Sequence, residues 1–297
     1  MTKQTEVRVL ETPQTDNLQS AEMQSDKSHQ ADFQRDGFAV VRQLFSPDEA
    51  CNLRDHFMGM HADGGVAGYF EPKSAEETRD ILQRYPRVMH PHRFDEASKQ
   101  AMLDARLHDV LRDLFGEEPL AAQSMMYFKP PGARGQALHQ DNFYLQVSPG
   151  TCIAAWVPLD DADEENGGLF IAPGTHTGEI QCPHVADLTK SFTAEEVDIP
   201  AGTRAVAVDL KQGDVLFFNG SVIHGSYPNT SSTRFRRAFI CHYVGASTTE
   251  MSAGYYPLHA FDGETVLRAA SQGGGVCGTE EWSALIEARG TADTVFA

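Results

Sequence analysis

A histidine and a carboxylate one residue apart can hold the same metal ion when the chain between them is extended, because side chains two apart on a strand share a face. The 297-residue chain contains two such pairs, His61-Ala-Asp63 and His139-Gln-Asp141. With 12 histidines and 42 acidic residues, about one or two would arise by chance, so context has to choose between them. His61 and Asp63 close a helical stretch and run into Gly64-Gly65, where nothing fixes side-chain direction, a poor preorganisation for a metal. His139 and Asp141 lie within Ala137-Leu-His-Gln-Asp-Asn-Phe-Tyr-Leu145, bounded by Gly135 and Pro149 and able to form a strand. The second pair is preferred.

Two ligands hold a ferrous ion weakly, and a third donor from a distant strand would complete a face of two histidines and one carboxylate with three open positions. His224 is the best candidate, since it follows the apolar run Gly213-Asp-Val-Leu-Phe-Phe-Asn-Gly-Ser-Val-Ile223 and precedes Gly225. An isolated histidine there would read as a hydrogen-bonded core residue, but an arginine further along favours a ligand. Twelve residues on, Arg236 opens the strand-like run Arg236-Arg-Ala-Phe-Ile-Cys-His-Tyr-Val244. A buried guanidinium needs a carboxylate, and its planar fork takes one bidentately. The C5 carboxylate of 2-oxoglutarate would satisfy it. Arg234 and Arg237 compete for the role; Arg237 has the opposite parity, and Arg234 shares the parity but precedes the apolar strand.

These residues need elements to carry them. Residues 1 to about 28 are polar and cannot bury enough apolar surface to offset the entropy of ordering, so they read as a mobile tail, with a single domain over 29–297. Phe38–Phe45 reads as a strand, and Ser46-Pro-Asp-Glu49 is a capping box opening a helix through about Met60. From Asp95 to Phe115, apolar residues recur at three- and four-residue spacing before Gly116, which predicts one amphipathic helix. After Gly116, β-rich runs alternate with turn residues at 121–129, 138–146, 152–158, 168–172, 214–218, 221–224 and 236–244. A helical front half followed by many short strands predicts a mainly β fold with flanking helices, an antiparallel sandwich or barrel. The polar stretch 176–210 interrupts the series and is a candidate lid, together with 62–95.

Composition narrows the classes. A formal charge of −18, with acidic residues spread along the chain, leaves no evident basic face for nucleic acid. No apolar stretch is long enough to span a bilayer, and the N-terminus has no signal-peptide pattern, so a soluble cytoplasmic enzyme is expected. Cys51, Cys152, Cys182, Cys241 and Cys277 are odd in number and widely spaced, which predicts reduced thiols without disulfides or a thiolate metal site.

His139-Gln-Asp141, Trp156, the turn Asn166-Gly-Gly-Leu-Phe-Ile-Ala-Pro-Gly-Thr-His176, and His224-Gly-Ser226 followed by Phe235-Arg-Arg-Ala238 together resemble the phytanoyl-CoA dioxygenase family, which also includes ectoine hydroxylases and bacterial natural-product oxygenases. The resemblance runs from about Phe33 to Val244. It implies a double-stranded β-helix (jelly-roll) core, iron(II), 2-oxoglutarate and dioxygen, and hydroxylation of an unactivated C–H bond of a small molecule with release of succinate and carbon dioxide. It makes His139, Asp141 and His224 the metal ligands and Arg236 and Ser226 the partners of the C5 carboxylate. Trp156 resembles a residue lining the cosubstrate pocket, and Gln123 and Tyr127 are similar to positions near it. The gap from His224 to Arg236 is one residue longer than in some members, which keeps Arg234 in reserve. Family halogenases replace the carboxylate ligand with a small residue; Asp141 is present here, so hydroxylation or a related oxidation is implied. His176 reads as structural, and His242, in phase with Arg236, as support for the ligands.

Two other classes compete: a metal-dependent cupin acting without 2-oxoglutarate, which gives no reason for Arg236, and a jelly-roll binding module without turnover. For the substrate, Lys73, Arg79, Arg84, Arg87, His90, His92 and Arg93 make the 73–93 segment locally basic, which reads either as a site for an anionic substrate group or as a solvated loop.

Overall fold

Side-chain alternation organises the molecule. The computed structural model describes residues 29–271, 276 and 277; the expected tail over 1–28 lies outside them. Nine strands build the core: β1 (Phe38–Val41), β2 (Pro119–Lys129), β3 (Gln136–His139), β4 (Ile153–Pro158), β5 (Leu169–Ile171), β6 (Val206–Val208), β7 (Val215–Asn219), β8 (His224–Ser226) and β9 (Arg236–Gly245). They form two antiparallel sheets, a major one ordered β1-β7-β4-β9-β2 with short edge strands beyond, and a minor one ordered β3-β8-β5-β6. From β2 to β5 the chain changes sheet at every strand, which is the jelly-roll plan.

One face of each major strand looks into the space between the sheets. Met125, Ala154, Trp156, Leu216, Phe218, Ala238 and Ile240 pack there with Leu169 and Ile171 of the minor sheet. The alternate residues Met126, Phe128, Ala155, Val157, Phe217, Phe239 and Tyr243 face outward, where the helices cover them. Burial on both faces explains why β2, β4 and β9 read as nearly continuous apolar runs.

The covering helices start where capping chemistry puts them. Helix α1 (Pro47–Ala62) opens on the predicted capping box, with Ser46 Oγ accepting from the Glu49 backbone N–H and the Glu49 carboxylate accepting from that of Ser46. A short turn, α2 (Ile81–Arg84), follows. The single helix expected over Asp95–Phe115 is two, α3 (Glu96–Met102) and α4 (Ala105–Phe115), because the Asp104 carboxylate caps a new N-terminus by accepting from the Arg106 backbone N–H. Helix α4 ends at Gly116 in the left-handed region, as the spacing predicts.

Three further expectations need correction. The strand expected over 138–146 stops at His139, and Asn142–Leu145 is a helical turn, α5, closed by Gln146 at φ 52°. The stretch 176–210 is not a plain insertion, since β6 within it forms the edge of the minor sheet. Cys182 and Cys277 are joined by a disulfide, while Cys51, Cys152 and Cys241 are free thiols. The bonded pair lies 95 residues apart in sequence, so only tertiary structure reveals it. Among the described residues no helix is long and apolar enough to cross a membrane.

Candidate active site

Strand pairing sets the two histidines together: His139 at the end of β3 stands opposite His224 at the start of β8. Their ring centroids are 4.2 Å apart. Asp141 joins them from the turn after β3, with a backbone in the helical region (φ −61°, ψ −34°). Alternation along an extended strand would put His139 and Asp141 on one face; the turn achieves the same convergence by reversing the chain instead. His139 Nε2 lies 3.5 Å from Asp141 Oδ1, and His224 Nε2 lies 3.7 Å from Asp141 Oδ2. One donor atom from each of the three residues falls within 4.8 Å of the others, a cluster that fits one divalent metal ion.

The protonation pattern suits metal binding. His139 Nδ1 donates to the Ala137 carbonyl at 2.9 Å and His224 Nδ1 to the Val222 carbonyl at 3.1 Å, which leaves each Nε2 with its lone pair turned to the shared space. Burial, with His139 alongside, pushes His224 down to about 4, so its ring is neutral near pH 7. Burial opposes a charge on Asp141, but the surrounding imidazoles, with the hydrogen bond from His242, hold its carboxyl well below the usual range. His242 Nε2 is 3.0 Å from Asp141 Oδ2 and fixes that carboxylate from β9. Gln136 also reaches His139 Nε2, at 3.1 Å. It can do so because the four residues of β3 from Gln136 to His139 oppose the three of β8 from His224 to Ser226, an irregularity that turns both side chains inward despite their odd separation.

Beside the cluster lies a cavity of about 420 Å³, lined by Tyr127, Gln136, His139, Asp141, Trp156, His224, Ser226, Arg236 and His242 among others. A second lobe of about 430 Å³ shares the ligand pair His139 and Asp141 and adds Gln123, Arg87, Tyr144, Thr193 and Tyr255. Arg236 is 2% exposed, lies 5.4 Å from the Trp156 ring, and donates from Nε to the Gly167 carbonyl at 3.0 Å. Its Nη1 is buried and has no partner among the described residues. Burial lowers Arg236 only to about 10, so it stays a cation. A cation with a free donor beside the Ser226 hydroxyl on the wall of the same cavity fits a carboxylate.

The structure separates the other candidates. Arg234 pairs with Asp163 at 2.7 Å and Glu165 at 3.1 Å, and Arg237 forms a bidentate pair with Asp160 on the outer face of β9. Neither reaches the cavity, and the reserve role for Arg234 is withdrawn. His61 bonds the Arg84 carbonyl and stacks on Tyr85, away from the cluster. His176 packs where any side chain at Gly37 would collide with it. Of the basic 73–93 segment, Arg87 borders the second lobe, whereas Arg93 donates to the Gly254 and Tyr256 carbonyls. Sequence reasoning missed Lys129, a buried lysine in phase with Gln123 and Tyr127 on β2; that parity was the available signal.

A sequence model of the phytanoyl-CoA dioxygenase (PhyH) family matches residues 33–238, most of the chain and all of the strands that carry the cluster. The chain belongs to this family. Phytanoyl-CoA dioxygenase 1 of Oryza sativa subsp. japonica is 28% identical over 227 residues, which span 73% of this chain and 79% of the relative. The ectoine dioxygenase of Stutzerimonas stutzeri (strain A1501) is 26% identical over 251 residues, covering 78% and 82%. Among solved structures, the epimerase SnoN in complex with Fe3+, alpha-ketoglutarate and nogalamycin RO aligns with a TM-score of 0.61 at 18% identity, covering 76% of this chain and 86% of SnoN, a likeness of fold. With its family and this cluster, the protein is an iron(II)- and 2-oxoglutarate-dependent dioxygenase that uses O2.

Proposed function

We propose that His139, Asp141 and His224 hold the iron, that Arg236 and Ser226 receive the C5 carboxylate of 2-oxoglutarate beside Trp156, and that the enzyme hydroxylates an unactivated C–H bond of a small molecule. One observation carries the reading: the convergent donor atoms and the unpartnered Arg236 Nη1 border the same cavity. A metal-dependent cupin without 2-oxoglutarate would give that buried cation no ligand. When bound, iron and 2-oxoglutarate supply the oxidising power, with one oxygen atom of O2 leaving in succinate and the other in the hydroxylated product beside carbon dioxide.

The protein's own residues do the positioning. His242 fixes Asp141, the Ala137 and Val222 carbonyls fix the two imidazoles, and Trp156 stacks beside Arg236. The second lobe, with Gln123 and Tyr127 on its wall, is the proposed substrate side. Arg87 there donates to Tyr127 Oη at 3.4 Å and sits against the Tyr127 and Phe192 rings, which favours an anionic group on the substrate. Phe192 and Thr193 from 176–210 and Arg87 and Met89 from 62–95 border the lobes, which supports those segments as the lid of a single domain over 29–297. The cytoplasm is the proposed compartment; the Cys182–Cys277 bond is the one feature that argues against a reducing environment.

Anaerobic titration of the iron(II) protein with 2-oxoglutarate tests the assignment. A metal-to-ligand charge-transfer band should grow to saturation in the wild type and be lost in Asp141→Ala, with substrate-stimulated succinate release lost alongside. A band that persists unchanged in Asp141→Ala would exclude the ligand set.

A further inference from the structure

The register of the major sheet sets Lys129 of β2 directly opposite Arg236 of β9, on the inner face. Like charges at opposed positions destabilise a strand pair, and both residues are 2% exposed. Neither has a carboxylate partner among the described residues. Lys129 Nζ donates to Ser226 Oγ at 2.7 Å and to the Tyr227 carbonyl at 2.6 Å, and Arg236 Nε donates to the Gly167 carbonyl while its Nη1 has no partner among the described residues. Burial, with Arg236 alongside, pushes the Lys129 amine well below the ordinary lysine range. A buried pair of cations with no counter-ion is costly. Its retention in the core points to an acceptor that arrives with a ligand.

The Ser226 hydroxyl shows what Lys129 contributes. A hydroxyl carries one hydrogen and two acceptor lone pairs. As an ammonium Lys129 can only donate, so both lone pairs of Ser226 are then taken, one by Lys129 Nζ and one by the Gln136 backbone N–H at 3.2 Å. The hydrogen is therefore directed away from both, toward the cavity that Ser226 shares with Arg236. We propose that Lys129 is a positioning residue for the cosubstrate: it locks the Ser226 hydroxyl as a donor aimed at the carboxylate that Arg236 receives. The Asn166-Gly-Gly turn serves the same end. Gly167 sits at φ 90°, a Cβ there would collide with the Lys129 side chain, and its carbonyl anchors Arg236.

This inference rests on the proposed carboxylate pocket, so its test compares two ligands. Iron(II) protein is titrated anaerobically with 2-oxoglutarate and with 2-oxopentanoate, which keeps the keto-acid head and the chain but lacks the C5 carboxylate. Lys129→Met should raise the Kd for 2-oxoglutarate about ten- to hundredfold, the range for a hydrogen bond to a charged group. It should leave 2-oxopentanoate within about twofold, and in a Ser226→Ala background it should add no more than about twofold. Equal weakening of both ligands, an unchanged Kd for 2-oxoglutarate, or full additivity with Ser226→Ala would each overturn the proposal. Should Lys129→Met fail to fold, wild-type protein with 15N-labelled lysine and zinc in place of iron gives the same decision. The protected Lys129 Nζ signal should move with 2-oxoglutarate and stay put with 2-oxopentanoate; movement with both or neither overturns it. A wild type that binds no 2-oxoglutarate overturns the pocket itself, whereas wild-type binding with an indifferent Lys129→Met overturns this inference alone.

Discussion

Arg236→Met should weaken the cosubstrate strongly while leaving the ligand-free protein almost as stable as the wild type. Truncating one partner of a buried, hydrogen-bonded charge pair costs about 2–5 kcal/mol. Lys129 and Ser226 remain at the same end of the cavity, so the lower part of that range applies, about 2–3 kcal/mol or about 30- to 150-fold in Kd. Without ligand the balance differs. The variant loses the 3.0 Å bond to the Gly167 carbonyl, worth about 1 kcal/mol, and the contact with Trp156, but it also removes a buried cation opposite Lys129. A net change within about 1 kcal/mol is expected in denaturant unfolding of the apoprotein. Ligand protection then separates the two forms. At 2-oxoglutarate a hundredfold above the wild-type Kd, the wild type gains about 2.7 kcal/mol, and a variant weakened a hundredfold gains about 0.4 kcal/mol. An apoprotein destabilised by more than about 3 kcal/mol, with cosubstrate affinity unchanged, would show that Arg236 is a structural cation and that the pocket is misread.

Three more outcomes are expected from the geometry. His242→Phe removes the 3.0 Å contact that fixes Asp141 and should lower iron affinity about 10- to 100-fold in an anaerobic metal competition assay; an unchanged affinity would make His242 a spectator. Burial pushes His92 down to about 3 and His90 to about 4 from an ordinary 6.5, so the unfolded chain binds more protons than the folded one between those values. Stability of the apoprotein should therefore be complete above about pH 6.5 and fall with acid, by up to about 1.4 kcal/mol per pH unit for each histidine. His92→Gln should flatten that slope in pH-dependent melting, and identical slopes would count against the assignment. Denatured, unreduced protein should titrate three thiols, from Cys51, Cys152 and Cys241, and five after reduction; five in both would mean that the Cys182–Cys277 bond does not form.

Parity along strands made much of the site legible from sequence. Arg236, Ala238, Ile240 and His242 alternate onto the inner face of β9, just as Gln123, Met125, Tyr127 and Lys129 do on β2, so choosing Arg236 over Arg237 needed only period two. Capping chemistry made the start of α1 legible in the same way. Most of what escaped lacks a periodic signal. The break between α3 and α4 hangs on one aspartate side chain, and the α5 turn on a local conformation that an apolar run of the same composition does not declare. The disulfide depends on contact between segments 95 residues apart. Lys129 carried the right parity but was passed over, because a lysine in an apolar strand reads as a flaw in the pattern until its opposite number is known to be an arginine.

Strand β8 ties the two ends of the proposed site to one ruler. His224 and Ser226 both line the cavity and stand two residues apart, about 6.6 Å along a strand. The metal cluster therefore hangs from one position of β8 and the carboxylate donor from the next position on the same face, a separation suited to a short diacid. β3 delivers His139 opposite the first position and the Gln136 backbone N–H against the second, and it can meet both only because its irregularity inserts one extra residue between them. A regular pairing there would turn either His139 or Gln136 out of the cavity, since one residue of slip exchanges the faces of a strand. The departure from ideal sheet geometry is thus the condition that lets one strand pair present a metal ligand and an oriented hydroxyl to the same small molecule.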